Sequence, residues 1–273
     1  IGIPVHYHHH EVAGAAQQEI EIKPTSLLKA ADAVQIMKYV IRMSAFKENK
    51  SACFLPKPIH NHAGSGMHFH QMLVKDGLSM FYEKGQYADL SDLALHYIGG
   101  LLHHAPALIA FTNPSTNSFK RLLPGFEAPT KIFFGLANRS AAIRIPKYTN
   151  KPTDKRFEFR PPDATCNPYL AISAMLMAGL DGIRNKIDPT RQGFGPFDED
   201  ITKWQDSKKN KLKSIPANLE EALVALSKDK KFLTAGNVFT DEFINNWIRL
   251  KTKELNEIAE WPNPIEFTKY HNL

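Results

Sequence analysis

The run Arg156-Phe157-Glu158-Phe159-Arg160 alternates charge and aromatic ring without a break. A β-strand turns successive side chains to opposite faces. This segment therefore reads as a strand with Arg156, Glu158 and Arg160 on one face and Phe157 and Phe159 on the other. The aromatic face needs a core. The charged face is either a surface ion-pair ladder or the wall of a polar site. Arg139 and Arg144 lie on or beside another short, otherwise apolar strand. Four arginines on neighbouring strands repel one another unless anions sit among them, and the guanidinium fork matches phosphate and carboxylate.

The rest of the chain supplies partners for such a strand. Residues 3–11 and 17–23 read as strands around the turn Ala13-Gly14-Ala15. A helix starts at Pro24-Thr25-Ser26, with Thr25 or Ser26 as N-cap, and carries apolar positions at helical spacing through Ile41. Ala52–Leu55 reads as a short strand stopped by Pro56 and Pro58, and Met67–Val74 as an alternating strand. A helix follows from Ser91 to about Ile109, interrupted near Pro106. Residues 112–129 read as loop. Strands are expected at 131–135, 140–145 and 156–160, a helix from Asn167-Pro168 to about Asn185, and a long polar loop at 186–217. The tail is helical at 218–227, 229–235 and 240–258. Strands first and helices later imply an α+β fold with a mainly antiparallel, curved sheet flanked by helices.

With 273 residues the chain is one large domain or two modest ones. No apolar run is long enough for a membrane span, and no charged and apolar leader opens the chain. Cys53 and Cys166 lack metal-type spacing and read as buried thiols of a cytoplasmic protein. The net charge is +6. No basic run is interleaved with aromatics, so nucleic acid is disfavoured. Lys208, Lys209, Lys211 and Lys213 read as a solvated loop. The chain opens at Ile1 with no methionine, and Ile-Gly-Ile-Pro-Val resembles the inside of a sheet, as if cut from a longer protein.

Three more constellations carry chemistry. His8-His9-His10-Glu11 faces Glu19 across a turn, with His9 and Glu11 on one strand face. Two carboxylates brought together repel unless a cation relieves them, and oxygen donors suit Mg²⁺ or Mn²⁺. The alternative is a pair of solvated strand-end acids. In Gly64-Ser65-Gly66-Met67-His68-Phe69-His70 the glycines permit close backbone approach, and His68 and His70 share a face. That pattern fits metal or phosphate, and equally two ordinary hydrogen-bonded histidines. The loop from Asn113 to Pro129 offers Arg121 as a carboxylate clamp and Glu127 as a proton acceptor, or is plain surface. Together the set suits phosphoryl transfer.

The ordered blocks His-His-His-Glu-Val-Ala, Pro56-Lys57-Pro58, Gly-Ser-Gly-Met-His-Phe-His, Asn117 through Pro129, Asn138-Arg139-Ser140, Ile143-Arg144-Ile145-Pro146 and Arg160-Pro161-Pro162-Asp163 resemble those of type I glutamine synthetases over nearly the whole chain. The resemblance implies ATP-dependent joining of ammonia to L-glutamate through γ-glutamyl phosphate. It implies two or more Mg²⁺ or Mn²⁺ ions per site, with Glu11 and Glu19 on one and His68 and Glu158 on another. Gly64, Arg121, Glu127, Arg139 and Arg160 would bind glutamate. His9, His70, Arg139, Arg144 and Arg156 would bind ATP. Glu127, Arg139 and Arg160 would be catalytic. It also implies a homo-oligomer of two stacked hexameric rings.

Departures from the family pattern are Ala63 for an asparagine, Met72 for a nucleotide-site serine, His6 for a glutamate, and no tyrosine near Ile201–Trp204. Residues 1–273 correspond to the catalytic domain, with a helical part at 218–258. The preceding β-grasp domain, and the strand carrying two further metal ligands, have no counterpart in the chain. Weak activity at most is therefore expected of it alone. The alternatives are a ligase joining glutamate to an amine and a non-catalytic relative.

Overall fold

The computed structural model describes residues 2–271. The first pair of strands, β1 (Val5–His10) and β2 (Gln18–Ile22), forms an antiparallel hairpin in which His9 stands opposite Glu19. Helix α1 (Leu27–Lys47) follows, with Ser26 at its N-cap position. Ala52–Leu55 forms no strand, against the sequence reading, because no neighbouring segment pairs with its backbone among the described residues. Cys53 is accordingly exposed rather than buried. Cys166 is buried, and that burial pushes its thiol pKa up to about 12.

The expected strand over Met67–Val74 divides. β3 (Phe69–Gln71) joins the central sheet, while β4 (Val74–Lys75) and β5 (Leu78–Ser79) make a small hairpin. Helices α2 (Asp92–His103) and α3 (Ala105–Thr112) meet at a 73° bend beside Pro106. Ser91 caps α2 by accepting from the Ala94 amide. A short helix, α4 (Thr116–Arg121), lies where a loop was expected.

Next come β6 (Phe134–Leu136), β7 (Ile143–Ile145), β8 (Phe157–Phe159) and the long helix α5 (Pro168–Arg184). The remaining helices are α6 (Asp206–Lys209), α7 (Leu219–Lys228), α8 (Lys231–Thr234), α9 (Asp241–Ala259) and α10 (Pro264–Tyr270). The last was not foreseen.

The central sheet has the order β3-β8-β7-β6, antiparallel except for the parallel pair β6–β7. Its apolar face is the one the Arg-Phe-Glu-Phe-Arg pattern requires. Phe157 and Phe159 are fully buried, and the Phe157 ring lies 5.6 Å from Phe81 and 5.7 Å from Tyr97 of α2. Behind the sheet, α2 crosses α5 so closely that a Cβ on Gly100 would fall 2.1 Å from the Ala178 carbonyl oxygen. Only glycine permits that approach. The fold is thus α+β, with a predominantly antiparallel sheet and helices against it.

No single helix among the described residues is long and apolar enough to cross a membrane. The bent pair α2–α3 is together long and apolar enough, but its residues line the core. The polar stretch at 186–217 is anchored as well. Ile201, Trp204 and Leu212 bury against Phe133, and Lys208 stands 3.6 Å over the Trp204 ring.

A buried imidazole ties the helical layer together. His104, at the α2–α3 bend, meets Asp229 at 2.7 Å through Nδ1 and Asp181 of α5 at 3.1 Å through Nε2. Burial opposes its charge, but hydrogen bonds and charge from the two aspartates outweigh that and raise its pKa. A raised folded-state pKa adds stability that is complete below the unfolded value near 6.5 and fades as pH rises through the folded one. Replacing His104 with asparagine is expected to cost about 1.5–3 kcal/mol in urea unfolding at pH 6, and less at pH 9.

Candidate active site

Glu158 lies at the middle of β8, opposite His70 on β3 and Arg144 on β7. In-strand alternation adds Arg156 and Arg160 to the same face. One buried carboxylate thus sits among basic groups. Its Oε1 accepts from Arg160 Nη1 at 2.7 Å and meets His68 Nδ1 at 2.8 Å, and its Oε2 accepts from Arg144 Nη1 at 2.9 Å. Burial alone would disfavour the carboxylate. The hydrogen bond with His68 and the charge of Arg160 reverse this and hold Glu158 well below the usual carboxylate range. Burial and the Arg160 charge push His68 down to about 4, which leaves it neutral at neutral pH. A neutral imidazole beside an ionised carboxylate is a donor pair for a divalent cation.

Around this cluster, His70 Nδ1 and the Nε atoms of Arg144, Arg156 and Arg160 are buried with no hydrogen-bond partner among the described residues. Buried unpaired donors are costly, about 1–3 kcal/mol each. An oxyanion is the group that three guanidinium N–H donors on one sheet face would satisfy.

The β1–β2 hairpin supplies a second acidic cluster. Ligand atoms of His9, Glu11 and Glu19 all lie within 4.8 Å of one another. His9 Nε2 is 3.5 Å from Glu19 and its Nδ1 is 3.7 Å from Glu11, so the imidazole stands between the two acids. Its pKa is raised, chiefly by the hydrogen bond to the His10 carbonyl and further by both glutamates. Burial, then the Glu11 charge, raises Glu19. Two oxygen donors and an imidazole fit Mg²⁺ or Mn²⁺. The resemblance implies that His9 binds the nucleotide; its ring also stands between the two carboxylates.

The loop after α4 brings Glu127 to the rim. Its carboxylate is 3.4 Å from Arg139 Nη1, and both side chains are more than half exposed. Arg160 Nη2 donates to the Glu127 carbonyl at 3.1 Å. Arg121 is buried and turned to backbone. Its Nη1 donates to the Pro161 oxygen at 2.6 Å, and its Nη2 to the Arg160 oxygen at 3.1 Å, beside His68 Nε2 at 3.4 Å. Burial lowers its pKa to about 10, so it keeps its charge.

Gly64 lies against the Arg121 stem, and its carbonyl accepts from Gln17 Nε2 at 3.1 Å. Gly66 serves protein packing: a Cβ there would fall 2.5 Å from Arg121 Nη2 and 2.6 Å from His68 Nε2. Gly66→Ala is therefore expected to displace His68 and weaken Mn²⁺ binding about 10- to 100-fold, measured by calorimetric titration.

The family described as glutamine synthetase, catalytic domain, matches residues 1–270. The chain belongs to that family. The glutamine synthetases of Frankia alni and Aquifex aeolicus are each 50% identical to it over 273 residues, covering all of this chain and 57% of theirs. The chain therefore spans little more than half the length of these curated relatives. A cryo-electron-microscopy structure of Plasmodium falciparum glutamine synthetase superposes with a TM-score of 0.86 at 32% identity, over 99% of this chain and 59% of that one. An apo GmaS structure gives 0.85 at 29% identity, over 100% and 60%.

One residue beside this site escaped the sequence reading. Glu21, two positions beyond Glu19 on β2, pairs with His6 at 3.3 Å and with Arg156 Nη2 at 3.9 Å. It joins the hairpin to the sheet. The signal was present in the sequence, because alternate positions of one strand share a face.

Proposed function

We propose that the complete protein containing this chain is a glutamate–ammonia ligase, forming L-glutamine, ADP and phosphate from L-glutamate, ammonia and ATP. The observation that carries this reading is the Glu158 cluster: a buried carboxylate held by His68, Arg144 and Arg160, ringed by unpaired arginine donors, with Glu127 on an adjoining loop. Residues 1–273 form its catalytic domain, with a helical part at 218–258. Cytoplasmic location and a homo-oligomer of stacked rings belong to the same proposal.

Phosphoryl transfer is mostly a problem of positioning and charge neutralisation. Arg139, Arg144 and Arg156 place positive charge where ATP phosphates would lie. The Arg160 guanidinium, fixed by Glu158, faces the reacting carboxylate of glutamate. That carboxylate oxygen attacks the γ-phosphorus and ADP leaves. Arg121 and the Gly64 loop shape the pocket for the amino-acid end. Glu127 takes a proton from ammonium, and the resulting ammonia attacks the acyl carbon; phosphate leaves and carries off the second proton, giving the neutral amide. Glu11, Glu19 and His9 would hold one Mg²⁺ or Mn²⁺, and His68 and Glu158 another; such ions supply charge neutralisation on the phosphates. His70 lies in the nucleotide part of the same face.

Product analysis of the complete protein with ATP, glutamate and either ammonium or polyamines tests the reading. Glutamine from ammonium is the expected product. γ-Glutamyl amides formed in its place would identify an amine ligase. No ATP-dependent product with either acceptor would mark a non-catalytic relative.

A further inference from the structure

We infer that Lys57 is a positioning residue that holds the Glu127 loop in place through the face of Phe126; the inference rests on the role proposed for Glu127. The Lys57 ammonium stands 3.8 Å from the centroid of the Phe126 ring, one residue before Glu127. A cation at that distance is attracted by the negative face of the ring.

The lysine is itself fixed. Its backbone N–H donates to Asn117 Oδ1 at 2.8 Å, and its carbonyl accepts from Asn117 Nδ2 at 3.1 Å. Pro56 and Pro58 restrict the backbone on either side. Its Nζ also donates to the His62 carbonyl oxygen. The His62 ring in turn accepts from the Gly14 amide at 3.2 Å, in the turn between Glu11 and Glu19. A continuous path of contacts therefore runs from the acidic hairpin to the loop.

The loop needs such a hold. Between α4 and β6 it has no regular structure around Glu127, and Gly125 and Glu127 both adopt positive φ, 92° and 54°. Its other ties to Glu127 come from Arg139 and Arg160. Both arginines belong to the proposed anion site, so a bound phosphate or carboxylate competes for them. Lys57 reaches the loop through an apolar ring, for which anions do not compete. The contact can persist while the arginines turn to substrate, keeping Glu127 at the rim and water away from an acyl phosphate.

The test compares Lys57→Met, Lys57→Arg and wild type in the complete protein, by amide hydrogen exchange and by the ratio of phosphate released to glutamine formed. Lys57→Met removes the charge and keeps the stem. Exchange in residues 122–130 is expected to quicken about three- to tenfold, with the rest of the chain unchanged. Phosphate is expected to exceed glutamine as the acyl phosphate is lost to water. Lys57→Arg, which also stacks on aromatic rings, is expected to restore both. Unchanged loop exchange in Lys57→Met overturns the inference. So does faster exchange spread evenly over the chain with phosphate and glutamine still equal. If wild type makes no glutamine, the functional reading fails, and loop exchange alone then decides whether Lys57 holds the loop.

Discussion

Glu158→Ala is expected to unfold about 3–5 kcal/mol more easily than wild type and to lose divalent-cation binding at the sheet by more than about 100-fold. The carboxylate is buried and is the shared partner of Arg144, Arg160 and His68. Removing it leaves two guanidinium groups close together with no counter-charge, in addition to the orphaned Nε donors nearby. Breaking a buried pair from one side costs far more than the pair contributes net, because the remaining charge stays desolvated.

Glu158→Gln keeps the shape and removes only the charge, so it separates packing from electrostatics. The pH dependence has a definite sign. A depressed folded-state pKa adds stability that is complete above the unfolded value near 4.3 and is lost as pH falls through the folded one. Wild type should therefore keep its advantage over Glu158→Gln at neutral pH and lose it only in strong acid. Urea unfolding across pH, paired with Mn²⁺ titration, measures both effects.

Glu127→Gln is expected to do the opposite: leave stability within about 0.5 kcal/mol of wild type and lower glutamine formation about 10²- to 10⁴-fold. The side chain is exposed and makes one long contact with Arg139, so little folding energy depends on it. Its proposed task is removal of a proton, which an amide cannot perform. Circular dichroism melting and glutamine assay on the same preparation check the pair of effects. A variant that melts as wild type and retains full synthesis would remove Glu127 from the mechanism.

The site was more legible than the boundaries of the elements that carry it. Strict alternation at Arg156–Arg160 sufficed to put three charged residues on one face and two rings in the core, because a period of two admits no other arrangement. It could not show that His70 and Arg144 would stand opposite Glu158, since register is set by partners distant in sequence. Ala52–Leu55 has strand-like composition but no strand, because composition does not create a hydrogen-bonding neighbour. The stretch from Thr112 read as loop because asparagine, serine and threonine also favour turns; here Ser115 and Ser118 form a capping box and start α4. Glycines 64 and 66 permit close backbone approach, and the groups a Cβ would meet there are the chain's own Arg121, His68 and Pro56.

The central claim is that this face of the sheet phosphorylates glutamate before nitrogen is added. The most direct measurement supplies the complete protein with ATP, ammonium and glutamate carrying heavy oxygen in its side-chain carboxylate. If γ-glutamyl phosphate forms, one heavy oxygen atom from glutamate appears in the released phosphate for each glutamine made. Glutamine accompanied by phosphate free of heavy oxygen, or phosphate released with no glutamine, would contradict the account.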